Sequence, residues 1–152
     1  MTLHFAYGAN MSRAVMRRHA PEARAIGPAE LRGHRFIITA DGYGSVETAP
    51  AQIVHGVLWR ISPRDRVKLD AWENVEGGLY RATMLPVRTA GACRLALVYV
   101  ARRGGLGRPK AGYVDLVVAA GSDWAIDESY LGALRTWARP LGADARKIGE
   151  FL

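Results

Sequence analysis

The chain has 152 residues, of which 49% are hydrophobic, so it can bury a core of its own and we expect one domain over residues 1–152. No apolar run is long enough to cross a bilayer, and the first residues lack the basic and then apolar layout of a secretory signal. These features favour a cytoplasmic protein with no membrane partner. The formal net charge of +7 raises the question of nucleic-acid binding.

The basic residues are scattered rather than gathered on one segment. The chain has 21 Lys and Arg residues among 14 acidic ones, and aromatic side chains are not interleaved with the basic clusters in the pattern that stacks bases. We therefore interpret the charge as a solvated surface and do not expect nucleic acid to be a partner. Attraction to small anionic molecules stays open.

The first predicted unit is a strand, a loop and a helix. Residues 3–7 alternate like a strand, and residues 8–10 form a turn. Either Asn10 or Ser12 can cap the helix that follows, and Pro21 ends it. The free N–H groups of this loop, aided by the helix dipole, suit a carboxylate or a developing oxyanion. The same residues are also typical of an ordinary capped turn.

The middle of the chain predicts two strands and a second helix. Residues 35–39 and 52–61 are rich in β-branched residues, and Gly56 inside the second run indicates a bulge or a close backbone approach. Ser62, followed by a proline and then by an acid, is typical of a helix start. We expect this helix to end near Glu73, with Leu69 and Trp72 on one face.

The last third predicts two more strands, at residues 80–87 and 94–101, followed by a basic loop at 102–110 that we interpret as a flexible lid. Residues 113–120 are ambiguous between strand and helix, and we take them as a helix because a proline precedes them and a glycine follows. Asp127 is expected to cap a final helix. The apolar residues at helical spacing on that helix, which predict core packing, are Tyr130, Leu131, Leu134, Trp137 and Leu141.

Strands and helices that mix without strict alternation indicate the α+β class, with a largely antiparallel sheet or barrel. Within this framework Glu73 is the candidate general base. It follows Trp72 at a helix end, where partial burial raises the pKa of a carboxyl toward the value useful near neutrality. Asp70 and Glu76 compete for the role, and Asp70 shares a helix face with Glu73, so that the two can couple. Glu73 as an ordinary surface acid stays open.

Other chemistries find little support in the sequence. The glycines at 104–107 match neither a phosphate-binding loop nor a dinucleotide fingerprint. No serine lies in a nucleophile-elbow context, and the single cysteine, Cys93, is a poor candidate for a catalytic thiol or a disulfide. A metal site is not expected either, because the histidines lie far apart without cysteine companions: His4, His19, His34 and His55.

Four segments in order resemble the γ-glutamylcyclotransferase-like family, also called the AIG2-like family. They are residues 5–11 (Phe-Ala-Tyr-Gly-Ala-Asn-Met), 54–62, 69–73 (Leu-Asp-Ala-Trp-Glu) and 78–80 (Gly-Leu-Tyr). The resemblance extends from residue 3 to about residue 125, and the order and spacing are more specific for the fold than for a substrate. It implies a small, mainly antiparallel β-barrel flanked by helices, with the first loop at the rim of a cavity.

The resemblance also implies a reaction and its residues. In such a reaction a γ-glutamyl amide closes on itself to 5-oxoproline and releases an amine or an amino acid. The nucleophile is part of the small-molecule substrate, so no cofactor is expected, and a homodimer stays open. Glu73 is implied as the catalytic residue. The substrate-binding residues that the resemblance implies are Tyr7, Gly8, Ala9, Asn10, Tyr80 and Tyr113.

Three residues depart from the family pattern. Ala9 stands where Ser is frequent, Asn74 where Gly commonly follows the catalytic Glu, and Lys110 where the later motif has Ser. They affect the cavity hydroxyl, the loop geometry and the leaving-group pocket. A non-catalytic small-molecule-binding or interaction module on the same fold therefore stays open as an alternative.

Overall fold

In a computed structural model of the protein, residues 1–138 are described. Its strands are β1 (Thr2–Ala6), β2 (Arg24–Ile38), β3 (Gly44–Ile61), β4 (Tyr80–Thr89) and β5 (Ala92–Ala101). Its α-helices are α1 (Arg13–His19), α2 (Pro63–Trp72), α3 (Tyr113–Asp123) and α4 (Glu128–Arg135). Short 3-10 turns cover Ala9–Met11 and Thr136–Ala138.

The five strands close into a barrel in the order β1-β3-β2-β4-β5. All neighbours are antiparallel except β1 and β5, which run parallel with His4 opposite Leu97. The barrel and the helices around it confirm the predicted α+β class. The largest side chains sealed in the core include Phe5, Met11, Leu31, Ile38, Leu58, Ile61, Leu69, Leu97 and Leu131.

The hairpin of β2 and β3 is much longer than the sequence predicts. The first part of β2 contains glycines and a proline that are typical of loops, yet this part pairs with β3. The register shifts next to Gly27 and Gly33, whose φ angles are 141° and 76°, so the glycines absorb bulges inside one continuous strand. Glycines that are typical of turns therefore lie at irregular pairing within the strand here, and not at its ends.

Gly56 lies where two strands meet closely, as the sequence predicts. A Cβ atom at this position would be 2.3 Å from the carbonyl oxygen of Ala6 and 2.7 Å from Cζ of Phe5. Any larger residue would push β1 away from β3. This contact fixes the end of β1, from which the first loop leaves the barrel.

Helix α2 begins with a complete capping box, in agreement with the predicted helix start. The Ser62 hydroxyl accepts from the N–H of Asp65 at 3.1 Å, and the Asp65 carboxylate accepts from the N–H of Ser62 at 3.2 Å. The other carboxylate oxygen of Asp65 accepts from the N–H of Glu22 at 3.1 Å, just after α1. Because Asp65 is fully buried, it joins the start of α2 to the end of α1.

Helix α3 confirms the choice of a helix for residues 113–120. Its residues are buried on most sides, and it packs against α4 and the 3-10 turn Ala9–Met11, which explains why periodicity alone was ambiguous. Asp127 caps α4 as expected, and Leu131 and Leu134 are buried while Tyr130 and Trp137 are partly buried. Leu141 lies outside the described residues. No helix within residues 1–138 is both long and apolar enough to span a membrane.

The segment predicted to be a flexible lid is anchored over its second half. Leu106 forms a bridge with Thr39, the N–H of Gly107 donates to the carbonyl of Ile38 at 3.0 Å, and the N–H of Lys110 donates to that of Gly42 at 3.0 Å. These bonds tie residues 106–110 to the turn between β2 and β3. For this half, the expectation of a free lid is wrong.

Candidate active site

A cavity of about 230 Å³ opens at the barrel end where β1 and β5 finish and β4 begins. Its size suits a small molecule. The cavity wall contains all the residues that the sequence nominated: Tyr7, Gly8, Ala9, Asn10, Glu73, Tyr80 and Tyr113. These come from the first loop, the end of α2, the start of β4 and the start of α3.

The first loop is held in shape by its own hydrogen bonds and by α3. The N–H of Met11 donates to the carbonyl of Gly8 at 3.0 Å, and the indole N–H of Trp124 donates to the carbonyl of Met11 at 2.8 Å. Ser12 caps α1, because its hydroxyl accepts from the N–H of Val15 at 3.3 Å. Of the two predicted caps, Ser12 is therefore the one used.

Two polar groups of this loop are left without protein partners. Asn10 is buried, and its Oδ1 has no hydrogen-bond partner among residues 1–138. Gly8 lies between β1 and the 3-10 turn, and its N–H finds no acceptor in the same part of the chain. A buried polar atom without a partner is costly, so a ligand that binds here can satisfy both groups.

The hydroxyl of Tyr113 lies between two glycines. It accepts from the N–H of Gly44 at 3.1 Å, and a Cβ atom would be 2.6 Å away from it at Gly8 and 2.7 Å away at Gly44. Burial raises the pKa of Tyr113, and backbone hydrogen bonds from Gly44 and Ala9 only partly oppose this. Tyr113 is therefore a neutral phenol that ties the first loop to the start of β3.

Two more tyrosines use their hydroxyl protons on backbone carbonyls. Tyr80 donates to Gly44 at 2.7 Å, and Tyr7 donates to Tyr99 at 2.5 Å. Burial raises the pKa of both phenols, and the nearby carboxylate of Glu73 raises it further. Both therefore stay protonated near neutral pH, and their oxygens keep a lone pair for a donor in the cavity.

Glu73 follows the last residue of α2, where its N–H donates to the carbonyl of Leu69 at 2.9 Å. The residue is partly exposed through the cavity, and no hydrogen bond or ion pair of its carboxyl occurs among the described residues. Burial raises the pKa of Glu73 from 4.5 to about 7. A carboxyl of this kind can accept and return a proton near neutral pH.

The competing acids are engaged elsewhere. Asp70 accepts from the guanidinium of Arg66 at 3.0 Å and from the hydroxyl of Tyr99 at 2.6 Å, and Glu76 is exposed. Neither lines the cavity. The predicted coupling of Asp70 to Glu73 is wrong, because burial alone accounts for the raised pKa of Glu73.

The departures from the family pattern affect the site unequally. Asn74 has a φ of 51°, a left-handed conformation that suits Gly and that Asn tolerates better than most residues, so the turn after Glu73 is kept. Lys110 is exposed and lies outside the cavity wall. Ala9 lines the cavity and brings no hydroxyl to it. Of the three, Ala9 therefore changes the cavity most directly.

Residues 53–134 match the sequence model of the AIG2-like family, which is more than half of the chain. The protein belongs to the AIG2-like family. This confirms the resemblance carried by the four segments. No curated protein matches the sequence.

Solved structures share the fold of this AIG2-like chain. One described as a gamma-glutamyl cyclotransferase has a TM-score of 0.88 at 19% identity, covering 99% of this chain and 95% of that one. An uncharacterized protein from Homo sapiens gives 0.88 at 20% identity with the same coverage. YkqA from Bacillus subtilis gives 0.78 at 20% identity, covering 90% of this chain and 54% of its own. The barrel is therefore the γ-glutamylcyclotransferase-like fold.

The AIG2-like cavity also contains side chains that the sequence did not nominate: His4, Tyr43, Trp72 and Tyr99. His4 is buried, with Nδ1 3.1 Å from the carbonyl of Leu97, and burial lowers its pKa to about 4. Trp72 is 48% exposed while Leu69 is fully buried, so these two residues, three positions apart on α2, differ in burial. Nothing in the local pattern separates these residues from core aromatics. Among the described residues, no cluster of three His, Cys, Asp or Glu side chains can hold a metal ion.

Proposed function

We propose that this AIG2-like protein is a γ-glutamyl cyclotransferase-type enzyme that converts a γ-glutamyl amide to 5-oxoproline and an amine or amino acid. One observation carries the proposal. The unpaired carboxyl of Glu73, with its pKa raised to about 7, opens onto a cavity that also contains the unpaired Oδ1 of Asn10. The family and the shared fold support it.

In the proposed reaction Glu73 moves protons from the attacking nitrogen to the leaving nitrogen. As a carboxylate it takes a proton from the α-ammonium group of the substrate, and the free amine then attacks the γ-carbonyl carbon. A C–N bond forms and closes the five-membered ring, while the carbonyl oxygen becomes an oxyanion. Glu73 then gives its proton to the leaving nitrogen, the bond from that carbon to the leaving nitrogen breaks, and the carbonyl re-forms from the oxyanion. The ring nitrogen still carries one extra proton from the attack, and it loses this proton through the restored carboxylate to the released amine, so that the products are 5-oxoproline and an ammonium ion.

The other cavity residues bind and orient the substrate in this proposal. The N–H of Gly8 suits the oxyanion or the substrate carboxylate, because it has no acceptor among residues 1–138. The Oδ1 of Asn10 and the phenol oxygens of Tyr7 and Tyr80 suit the α-amino group as acceptors. Holding the amine against its own carbonyl supplies much of the rate enhancement.

The test is release of 5-oxoproline from a panel of γ-glutamyl amides by the wild type and Glu73→Gln. We expect Glu73→Gln to lower kcat by about 10²- to 10⁴-fold, because the amide cannot accept the proton. Glu76→Gln is the matched control, since Glu76 is an exposed acid three positions away and outside the cavity, and should behave like the wild type. Full activity of Glu73→Gln would refute the mechanism.

A non-catalytic small-molecule-binding module is the second candidate, and one observation favours it. The N–H of Ala9 bonds to the Tyr113 hydroxyl, and Ala9 itself brings no hydroxyl, so this part of the loop is less available to an oxyanion. Under this alternative the γ-glutamyl amides raise the melting temperature, yet none of them yields 5-oxoproline.

A further inference from the structure

Trp72 is the exposed aromatic residue at the cavity that the proposed reaction does not use. It is the last residue of α2, directly before Glu73, and it lines the cavity while remaining 48% exposed. Tyr7, Tyr80 and Tyr113 are buried at the same cavity and bonded to the backbone. Trp72 therefore stands at the mouth of the cavity, with indole surface available to a ligand.

His19 stacks on the indole of Trp72 and is not part of the cavity wall. The two rings stack with centroids 3.8 Å apart and planes 30° apart, where the end of α1 meets α2. Because the His19 ring covers one face of the indole, the other face is the one left for a ligand. Burial, aided by Arg18, lowers the pKa of His19, which makes this a contact between two neutral rings.

The chemistry of the proposed reaction sets what passes beside Trp72. Glu73 must lie within reach of the leaving nitrogen in order to return its proton. The glutamyl half belongs among the polar groups of the first loop, so the substituent on the leaving nitrogen extends toward the mouth. Trp72 is the chain neighbour of Glu73 at that mouth, and a ring on the substituent can stack on its open face.

We propose that Trp72 determines substrate specificity by stacking on an aromatic group of the leaving amine, and that His19 is a positioning residue that keeps the indole in place. The proposal rests on the proposed function. The substrate class that follows is γ-glutamyl amides of arylalkyl amines, in which a short methylene chain joins the nitrogen to a ring.

The experiment compares γ-glutamyl phenethylamide with γ-glutamyl ethylamide. Both carry a methylene group on the leaving nitrogen, so the bond that breaks is alike and the substrates differ in the ring. We expect the wild type to favour the phenethylamide about tenfold in kcat/KM, through stacking and apolar burial. The ratio for one enzyme preparation does not depend on the fraction of folded protein.

The variants separate the roles of the two residues. Trp72→Ala should reduce the ratio to about one, and His19→Ala should reduce it several-fold, mainly through KM for the phenethylamide. His19→Phe keeps a ring on the indole and removes a buried Nδ1 that has no partner among residues 1–138, so it should preserve the ratio. Loss of the ratio in His19→Phe as well would reject the positioning role.

The outcomes distinguish this proposal from the proposed function. If both amides yield 5-oxoproline at similar rates in the wild type, or Trp72→Ala keeps the preference, the stacking role is wrong and the cyclisation stands. If neither yields 5-oxoproline, the proposed function is wrong, and calorimetric binding of the two amides to the wild type and Trp72→Ala then decides the stacking role. Tighter binding of the phenethylamide that is lost in Trp72→Ala supports it, and equal binding overturns it.

Discussion

Glu73 is a buried titratable residue, and the fold loses stability when its carboxyl is ionised. A carboxyl in a cavity lined by five tyrosines, without a cation or a hydrogen-bond donor among the described residues, is harder to ionise than one in water. The folded chain therefore holds a proton on Glu73 more tightly than the unfolded chain does. The unfolding free energy should therefore depend on pH, which can be measured without any substrate.

The stability of the wild type should fall as Glu73 ionises. Because the folded pKa of about 7 lies above the ordinary 4.5, the contribution is complete below pH 4.5 and is lost as pH rises through 7. Relative to Glu73→Gln, the wild type should lose about 1–3 kcal/mol of unfolding free energy between about pH 4.5 and about pH 8.5. Urea unfolding at both pH values measures this difference.

The control for the pH experiment is Glu76→Gln, because Glu76 is exposed and outside the cavity. Its difference from the wild type should stay nearly constant over the same pH range. A constant difference for Glu73→Gln as well would mean that Glu73 is no more protonated in the folded state than in the unfolded state. The base would then lack the sheltered environment that the mechanism needs.

Substitution of Gly8 should lower stability more when Tyr113 carries its hydroxyl than when it does not. A Cβ atom at Gly8 would lie 2.6 Å from that oxygen, which is held by the N–H of Gly44 and cannot swing aside freely. Gly8→Ala should therefore lower the unfolding free energy by about 1–3 kcal/mol. In a Tyr113→Phe background the same change should cost about 1 kcal/mol less, because the hydroxyl is gone.

A thermodynamic cycle of the wild type, the two single variants and the double variant measures this coupling. Gly77 offers a contrast, since a Cβ there would meet Asn74 rather than Tyr113, so Gly77→Ala should show no coupling to Tyr113→Phe. Strict additivity of Gly8→Ala and Tyr113→Phe would show that the loop moves away from the tyrosine at little cost.

At the level of elements, hydrogen bonds hold α2, the helix that presents Glu73, against the chain after α1 and against the barrel. Asp65 fixes its start to the chain after α1, and Asp70 fixes its last turn to the Tyr99 hydroxyl on β5 at 2.6 Å. The carbonyl of Tyr99 in turn accepts from Tyr7. Tyr99 therefore connects the strand-to-loop corner with the helix that presents Glu73.

The elements that the sequence predicted well are those with local chemistry. The start of α2 is specified by Ser62, Pro63 and Asp65 within four residues, and the caps at Ser12 and Asp127 are equally local. The first part of β2 was missed because it is stabilised by its pairing with β3, and its glycines are accommodated as bulges in that pairing. Propensity within a short window carries no information about such a partner.

The site divides in the same way. The first loop and Glu73 are recognisable because their residue types and order follow a family pattern. Tyr99 and His4 were missed because their place in the cavity depends on the closure of β1 against β5, a contact between residues more than 90 positions apart. A strand pattern shows that a tyrosine is buried on one face, but not which cavity that face meets.

At the scale of the whole molecule, charge and cavity are separate features. The chain carries +7, yet Glu73 is the one carboxyl or basic side chain other than the neutral His4 in the cavity wall formed by residues 1–138. The ion pairs of the same region lie at the surface, for example Arg35 with Glu47 and Arg135 with Glu128. The positive charge is thus placed to act on solvent and on other molecules, rather than on a ligand held inside.

This separation predicts that nucleic acid binds weakly and without sequence preference. Affinity for a duplex should fall steeply between about 50 mM and about 200 mM salt and become undetectable at the higher value, because scattered surface arginines contact only phosphates. Replacing the exposed Arg102 and Arg103 together by Gln should reduce the slope of the plot of the logarithm of the association constant against the logarithm of salt concentration by about one to two. Fluorescence anisotropy with two unrelated duplexes measures both effects, and a preference for one duplex that survives about 200 mM salt would identify nucleic acid as a specific partner.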